Sequence, residues 1–446
     1  MPKYLFPRFG CRLKMVSVRP EIGMGRWCLL ALLPLLSIGI ARAEEDDRLR
    51  FDFYGTLGFS HDDSANLAPV RDLSQRPRRS NQTNDSWVMD SRLGLQASYA
   101  VNPWVDLMTQ AVWREQADIS LDSYLDWAFI NLHPTPAFDV RLGRVGYDVF
   151  LMSDHRNLGY AYPWVRPPIE FYGWIPMYSV NGGDMAYTLE EGTARWRFKA
   201  QAGHAGLKFP MGSDASSGPD YDFKSDNVWS LTAAWESDPW RIKGGYSQIV
   251  LKTDAPILAP LQAGLETVAR AGLPGVSAEA AALRDDLTYQ DVTLRYVTLG
   301  VAYDDGVWLG QAEWGRVTTT ADMVSNGNMA YLGMGRRFGD WTPFVLLSGV
   351  RSTVPVRQTS ADWNLSASLS GLQASAVSVL NSTRFDQETE SLGVRWDFNS
   401  HLAFKVQGDS TLVHPYGYGL WYVGTNDRTH VDTRINLLSA TMDFVF

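Results

Sequence analysis

In the segment Leu438-Ser439-Ala440-Thr441-Met442-Asp443-Phe444-Val445-Phe446 the even positions are apolar and the odd ones mostly polar. A strand with this period of two turns one face to an apolar medium and the other to a wet one. The alternation recurs along the chain. Phe51, Phe53, Leu57 and Phe59 alternate with Asp52, Tyr54 and Thr56, and Leu392, Val394, Trp396 and Phe398 with Gly393, Arg395 and Asp397. Sixteen such segments can be placed, near 49–60, 88–101, 103–114, 122–133, 137–148, 180–190, 193–206, 226–237, 239–253, 289–304, 306–319, 328–339, 341–353, 387–399, 401–413 and 431–446.

The connections sort into two kinds that alternate. Tight ones fall at Asn102-Pro103, His133–Pro136, Glu191-Gly192, Ser237-Asp238-Pro239, Asp304-Asp305-Gly306, Gly339-Asp340 and Asn399-Ser400, and the intervening ones are mostly long. Short turns on one side and long loops on the other are the mark of a barrel with periplasmic turns and extracellular loops. Trp104, Trp235, Trp240, Trp308, Phe338, Trp341, Phe398 and Phe404 flank the short turns, where an aromatic ring can bridge lipid and water. The expected fold is all-β, a transmembrane antiparallel up-and-down barrel of sixteen strands.

The first 43 residues stand apart from this pattern. An apolar run from Trp27 to Leu36 follows Arg26 and precedes Ala41-Arg42-Ala43, the small-x-small pattern of a cleaved signal peptide. It is shorter than the roughly 20 apolar residues of a membrane-spanning helix. The expected mature chain, 44–446, loses both cysteines, Cys11 and Cys28, and with them any disulfide or thiolate metal site. It also loses seven of the 40 Lys/Arg and one of the 49 Asp/Glu, leaving 33 and 48 and a balance of −15, which disfavours nucleic acid as a partner.

On these features the chain resembles the general porins of Gram-negative bacteria. The likeness lies in strand number and size, in the terminal Phe446, and in Leu142-Gly143-Arg144 at the end of strand five. It implies a trimeric sixteen-stranded barrel in contact with outer-membrane lipid and lipopolysaccharide, inserted by the barrel-assembly machinery for which Phe446 is a signal. The function it implies is passive diffusion of small hydrophilic solutes and ions. It also implies that the loop after strand five, 149–179, folds inward as a constriction. Three prolines between Phe150 and Trp174 stiffen that loop, and its mixed charges and aromatics suit packing. Asp154, Arg156, Arg166 and Glu170 are then the expected pore-lining charges, setting a transverse field.

Alternation places Arg92, Arg141, Arg195, Arg197, Lys199, Arg241 and Lys243 on the inner wall, where they line the passage or pair with Asp90, Asp126 and Asp139. It places Arg144 on the outer face, where a charge exposed to lipid costs roughly 2–4 kcal/mol at mid-depth. A homotrimer contact at strand five, or a bulge, is the expected remedy. Ser153-Asp154-His155 has the residue types of a hydrolase triad, but adjacency in sequence is not triad geometry, and no phosphate loop or zinc motif occurs. No enzyme activity and no cofactor are expected. The alternatives are a substrate-selective channel of the same fold and a structural or adhesive barrel.

Overall fold

The computed structural model describes residues 48–65, 67–76, 84–174, 176–210, 220–423 and 430–446; the expected signal peptide lies outside them. Sixteen long strands form one closed sheet. They are β1 (Leu49–Asp62), β2 (Arg92–Asn102), β3 (Val105–Arg114), β4 (Leu125–Thr135), β5 (Phe138–Gly146), β6 (Ser179–Glu191), β7 (Ala194–Pro210) and β8 (Asp220–Ser237). The second half comprises β9 (Trp240–Val250), β10 (Thr293–Asp304), β11 (Trp308–Thr319), β12 (Gly327–Arg336), β13 (Trp341–Ser352), β14 (Phe385–Asp397), β15 (Leu402–Tyr418) and β16 (Thr433–Val445). Each pairs antiparallel with its neighbours in sequence, and β1 closes the circle on β16 from Tyr54↔Val445 to Asp62↔Leu437. Closure leaves no unpaired strand edge in lipid, where backbone groups have no water to bond.

The exterior shows why the alternation is what it is. On β13, Trp341, Val345 and Leu347 face out and are about half exposed, while Thr342, Phe344 and Leu346 between them are buried inside. Eight residues along the strand from a girdle aromatic, the outward side chain turns polar: His61 from Phe53, His204 from Trp196, Arg295 from Tyr303, Arg316 from Trp308, Asn436 from Phe444. With about 3.3 Å per residue and strands tilted near 40°, the apolar belt is roughly 20 Å tall. That height matches the hydrocarbon layer a barrel must cross.

Two boundaries differ from the expected ones for a local reason. β2 begins at Arg92 rather than near 88, because Trp87–Ser91 form bends in which the Ser91 hydroxyl donates to Trp87 O at 2.6 Å. β15 runs on to Tyr418 past 413 because it bulges, 414–417 standing opposite Asp386 alone before pairing resumes at Phe385↔Tyr418. Among the described residues three helices of eleven residues or more lie on the long-loop side. The Ala-rich segment after β9 forms α1 (Ala259–Ala269) and α2 (Val276–Asp286), burying Leu258, Leu265 and Val268 as its apolar stripe implies. Residues 354–386, expected as a loop, contain α3 (Ala367–Ser382), whose start is capped by the Ser366 hydroxyl accepting from Leu369 N–H.

Candidate functional site inside the barrel

The segment 147–178 between β5 and β6 turns into the barrel and threads across it. Its first carboxylate, Asp148, takes Lys199 of β7 at 2.5 Å and Lys243 of β9. The Thr298 hydroxyl of β10 donates to Val149 O (3.0 Å), and Leu151 N–H donates to Glu313 of β11 (2.8 Å). On the far wall, Lys405 of β15 donates to Gly159 O (2.6 Å) and Trp164 O (2.9 Å) and lies 2.9 Å from Asp443 of β16. Tyr160 reaches the β14–β15 turn, its hydroxyl 3.3 Å from Asn399 O, so the segment descends to the short-turn end.

The wall is shaped to receive this segment. A methyl group added at Gly333 would lie 2.5 Å from the Trp164 ring, at Gly245 2.6 Å from Val149 O, and at Gly300 3.2 Å from Leu151. These inward glycines on β9, β10 and β12 leave hollows that the segment fills. Around them Phe150, Trp164, Phe171, Tyr172 and Trp174 pack on Tyr296, Met329, Tyr331, Phe344 and Leu346 of β10–β13. On the side of β10–β13 the lumen is therefore filled by a packed hydrophobic core. The first long connection joins it: Arg71 donates to Arg156 O (2.8 Å), and Leu73 N–H to Gly173 O (2.9 Å).

Of the four charges expected to face the passage from this segment, Asp154 alone is exposed. Arg166 is buried, donating to Asp90 (2.6 and 2.9 Å), Asp409 (2.9 Å) and Ser439 (2.5 Å). Glu170 is buried too, accepting from Ser348 and Gln387, each at 2.7 Å, and from Thr389. Arg156 stacks on Tyr178, 3.6 Å from the ring centre, and donates to Met177 O. Arg166 and Glu170 hold the segment to the wall, and Arg156 braces the segment against its own far end. A charge in an apolar interior must be paired and hydrogen-bonded, and that need turns expected pore charges into anchors.

The wall residues divide in the same way. Arg92 is covered by the segment, donating to Asn157 O (2.6 Å) and the Tyr162 hydroxyl (2.9 Å). Arg141 is matched two-pronged by Asp184 (2.5 to 3.1 Å), and Lys199 and Lys243 are buried on Asp148. Arg195, Arg197 and Arg241 remain partly open, in the half of the barrel near the short turns. Of the expected wall acids, Asp90 takes Arg166, Asp126 takes Arg114 (3.0 Å), and Asp139 takes His133 (2.7 Å) and Arg197 (3.5 Å).

Arg144 does face outward, as expected, but its charge is met within the chain. It binds Asp122 (2.7 Å), Asn181 (2.8 Å) and the carbonyls of Asp122 and Leu125, beside an irregularity at Gly143 with φ of 130°. Lipid exposure of this arginine therefore does not demand a second subunit. Phe446 exchanges backbone hydrogen bonds with Phe53 (2.7 and 2.9 Å) at the seam of the barrel. In Ser153-Asp154-His155 the Ser153 hydroxyl accepts from Phe150 N–H (2.9 Å), as in a turn. The alternation carried no sign of the wall glycines or of Arg71. A run of glycines at inward positions was the signal available for the former.

No protein-family model matches this chain, and no curated protein matches it. Its fold has solved relatives in shape. OmpT of Vibrio cholerae aligns over 90% of this chain and 99% of its own at 12% identity, with a TM-score of 0.47. An anion-selective porin from Comamonas acidovorans aligns over 89% and 100% at 11% identity and TM-score 0.47. OmpF of Salmonella typhi, solved with daunomycin, aligns over 89% and 97% at 11% identity and TM-score 0.46.

Proposed function

We propose that this chain is a porin of the Gram-negative outer membrane, exported with loss of residues 1–43 and passing small hydrophilic solutes and ions by diffusion. One observation carries the reading: a closed barrel, apolar outside, encloses a segment pinned across its lumen, with charged side chains open to water on the remaining wall. In this reading 147–178 is the constriction, and Asp154 with Arg195, Arg197 and Arg241 sets the field that a solute meets. The barrel-assembly machinery inserts the chain, lipid and lipopolysaccharide surround it, and it assembles as a homotrimer. Purified protein in planar bilayers should give stepwise conductance, and proteoliposomes should swell with small sugars and not with large ones. Folded protein that conducts nothing would rule the reading out.

A solute-selective channel is the second reading, and the packing of the lumen favours it. The inward side chains of β10–β16 at mid-height are buried beneath the segment, among them Tyr296, Glu313, Tyr331, Leu346, Thr389 and Gln407. A passage reduced to one side brings every solute against the same few residues. Swelling rates that depend on solute charge at equal size would separate it from simple sieving.

A further inference from the structure

The open wall carries a pattern that the porin reading does not by itself require. Across β7, β8 and β9 the inward side chains form rows set by strand register. Lys199 stands beside Thr232, Arg197 and Lys243 flank Ala234, and Arg195 and Arg241 flank Glu236. Two basic columns thus run on either side of Thr232, Ala234 and Glu236 on β8. Strands lie about 4.8 Å apart, so columns two strands apart stand roughly 10 Å apart, and long basic side chains can converge from both on one anion.

At the upper end of the groove this convergence is occupied. The Asp148 carboxylate takes Lys199 from one column and Lys243 from the other, all three side chains being buried. The protein's own carboxylate thus shows what the spacing accepts. One row further down, no single carboxylate bridges the two columns, and each arginine has only a looser partner of its own. Arg197 reaches Asp139 only at 3.5 Å, and Nε of Arg241 lies 3.1 Å from Glu236 without the alignment of a hydrogen bond. Both arginine side chains are about a third exposed, 31% and 34%. Among the described residues Arg195 makes no ion pair within 4 Å. Facing the groove, the segment presents exposed Asp154 and then His155. Burial and the Arg241 charge, against the opposing Asp154, push the His155 imidazole down.

We propose that Arg197 and Arg241 clamp a small carboxylate solute over Ala234, one row below the clamp that Lys199 and Lys243 close on Asp148. The carboxylate oxygens accept from the two guanidinium groups, and the methyl of Ala234 leaves the room that a larger side chain would fill. Asp154 repels an anion from the segment's side, which keeps the solute against the wall. This rests on the porin reading only in placing the clamp on a route through the membrane.

Titration of succinate into the detergent-solubilised full mature chain tests it, with inorganic phosphate as the comparison anion. Wild-type protein should bind succinate, and Arg197→Gln with Arg241→Gln should weaken binding at least tenfold. Arg197→Lys with Arg241→Lys should restore most of it, since charge is kept. Ala234→Leu, which changes no charge, should weaken it to a similar degree. Succinate binding unchanged in the double Gln variant would overturn the clamp, and binding of phosphate without succinate would overturn the carboxylate assignment. Bilayer recordings separate this from the porin reading. Succinate binding with the expected variant pattern but no conductance sinks the porin reading alone; conductance without succinate binding sinks the clamp alone.

Discussion

Single residues in this barrel matter most where the inner segment meets the wall. Gly333 is one such point: with the Trp164 ring 2.5 Å from where its Cβ would stand, Gly333→Val forces the indole out of its hollow. Overpacking of this kind costs about 1–3 kcal/mol, and here it also loosens the segment packed inside the lumen, which the porin reading makes the constriction. The expected outcome is a lower urea midpoint together with a larger single-channel conductance. A stability loss at unchanged conductance would mean that Trp164 does not shape the passage. Lys405 is a second such point, being wholly buried with Asp443 and two carbonyls of the segment. Lys405→Met leaves Asp443 charged and without its lysine, a loss of about 3–5 kcal/mol, whereas Lys405→Met with Asp443→Leu removes both charges and should recover much of it. Equilibrium unfolding of the two variants in detergent checks the difference.

Among the elements, α2 is tied to the stretch before α3 by one carboxylate. Glu279 of α2 accepts from the Ser360 hydroxyl (2.6 Å), the Trp363 indole (2.9 Å) and the backbone N–H groups of Ser360 (2.7 Å) and Ala361 (3.0 Å). Burial disfavours its charge, but these donors outweigh it and hold the carboxyl at about 2 instead of 4.5. A carboxyl whose folded value is depressed stabilises the fold fully above its unfolded value. The contribution is lost as pH falls from about 4.5 through about 2. Hydrogen exchange of α2 and of 360–363 should therefore quicken in that window, while Glu279→Gln, with no charge to lose, should show no such step. The strands, whose backbone bonds belong to the closed sheet, should stay protected over the same range.

For the whole molecule, closure is the feature on which everything else depends. β1 and β16 meet through the Phe53–Phe446 backbone pair, with the Phe446 ring 5.6 Å from His401 and 6.2 Å from Phe444. Removing Phe446 takes two hydrogen bonds from the seam and one ring from the girdle. If the chain is exported to the outer membrane as proposed, its level there should drop while synthesis continues, as fractionation would show. Undiminished levels would argue that the seam closes without this residue and that it is no assembly signal.

The alternation of apolar and polar residues was enough to determine the sixteen strands, their up-and-down order and which end carries the short turns. Each of these follows from local facts, since lipid lies against every second residue and a short link leaves only the next strand within reach. Phe51, Leu299, Val345 and Leu438 face outward as their period demands. The interior was legible only in part. Alternation reports which side of the sheet a residue faces, and Arg92, Arg195 and Lys243 do face inward; it says nothing about what lies on the other side of the lumen. Arg166 finds Asp409 and Ser439, and Glu170 finds Gln387, across 217 to 273 residues of chain. Those partners are chosen by closure and by the hollows at Gly245, Gly300 and Gly333, which no local pattern encodes. The tertiary structure alone therefore decided that Arg166 and Glu170 are anchors, that Arg156 is a brace within the segment and that Arg195, Arg197 and Arg241 stay open to water, because burial turns a charge into a pairing requirement and only the packed lumen determines which charges are buried.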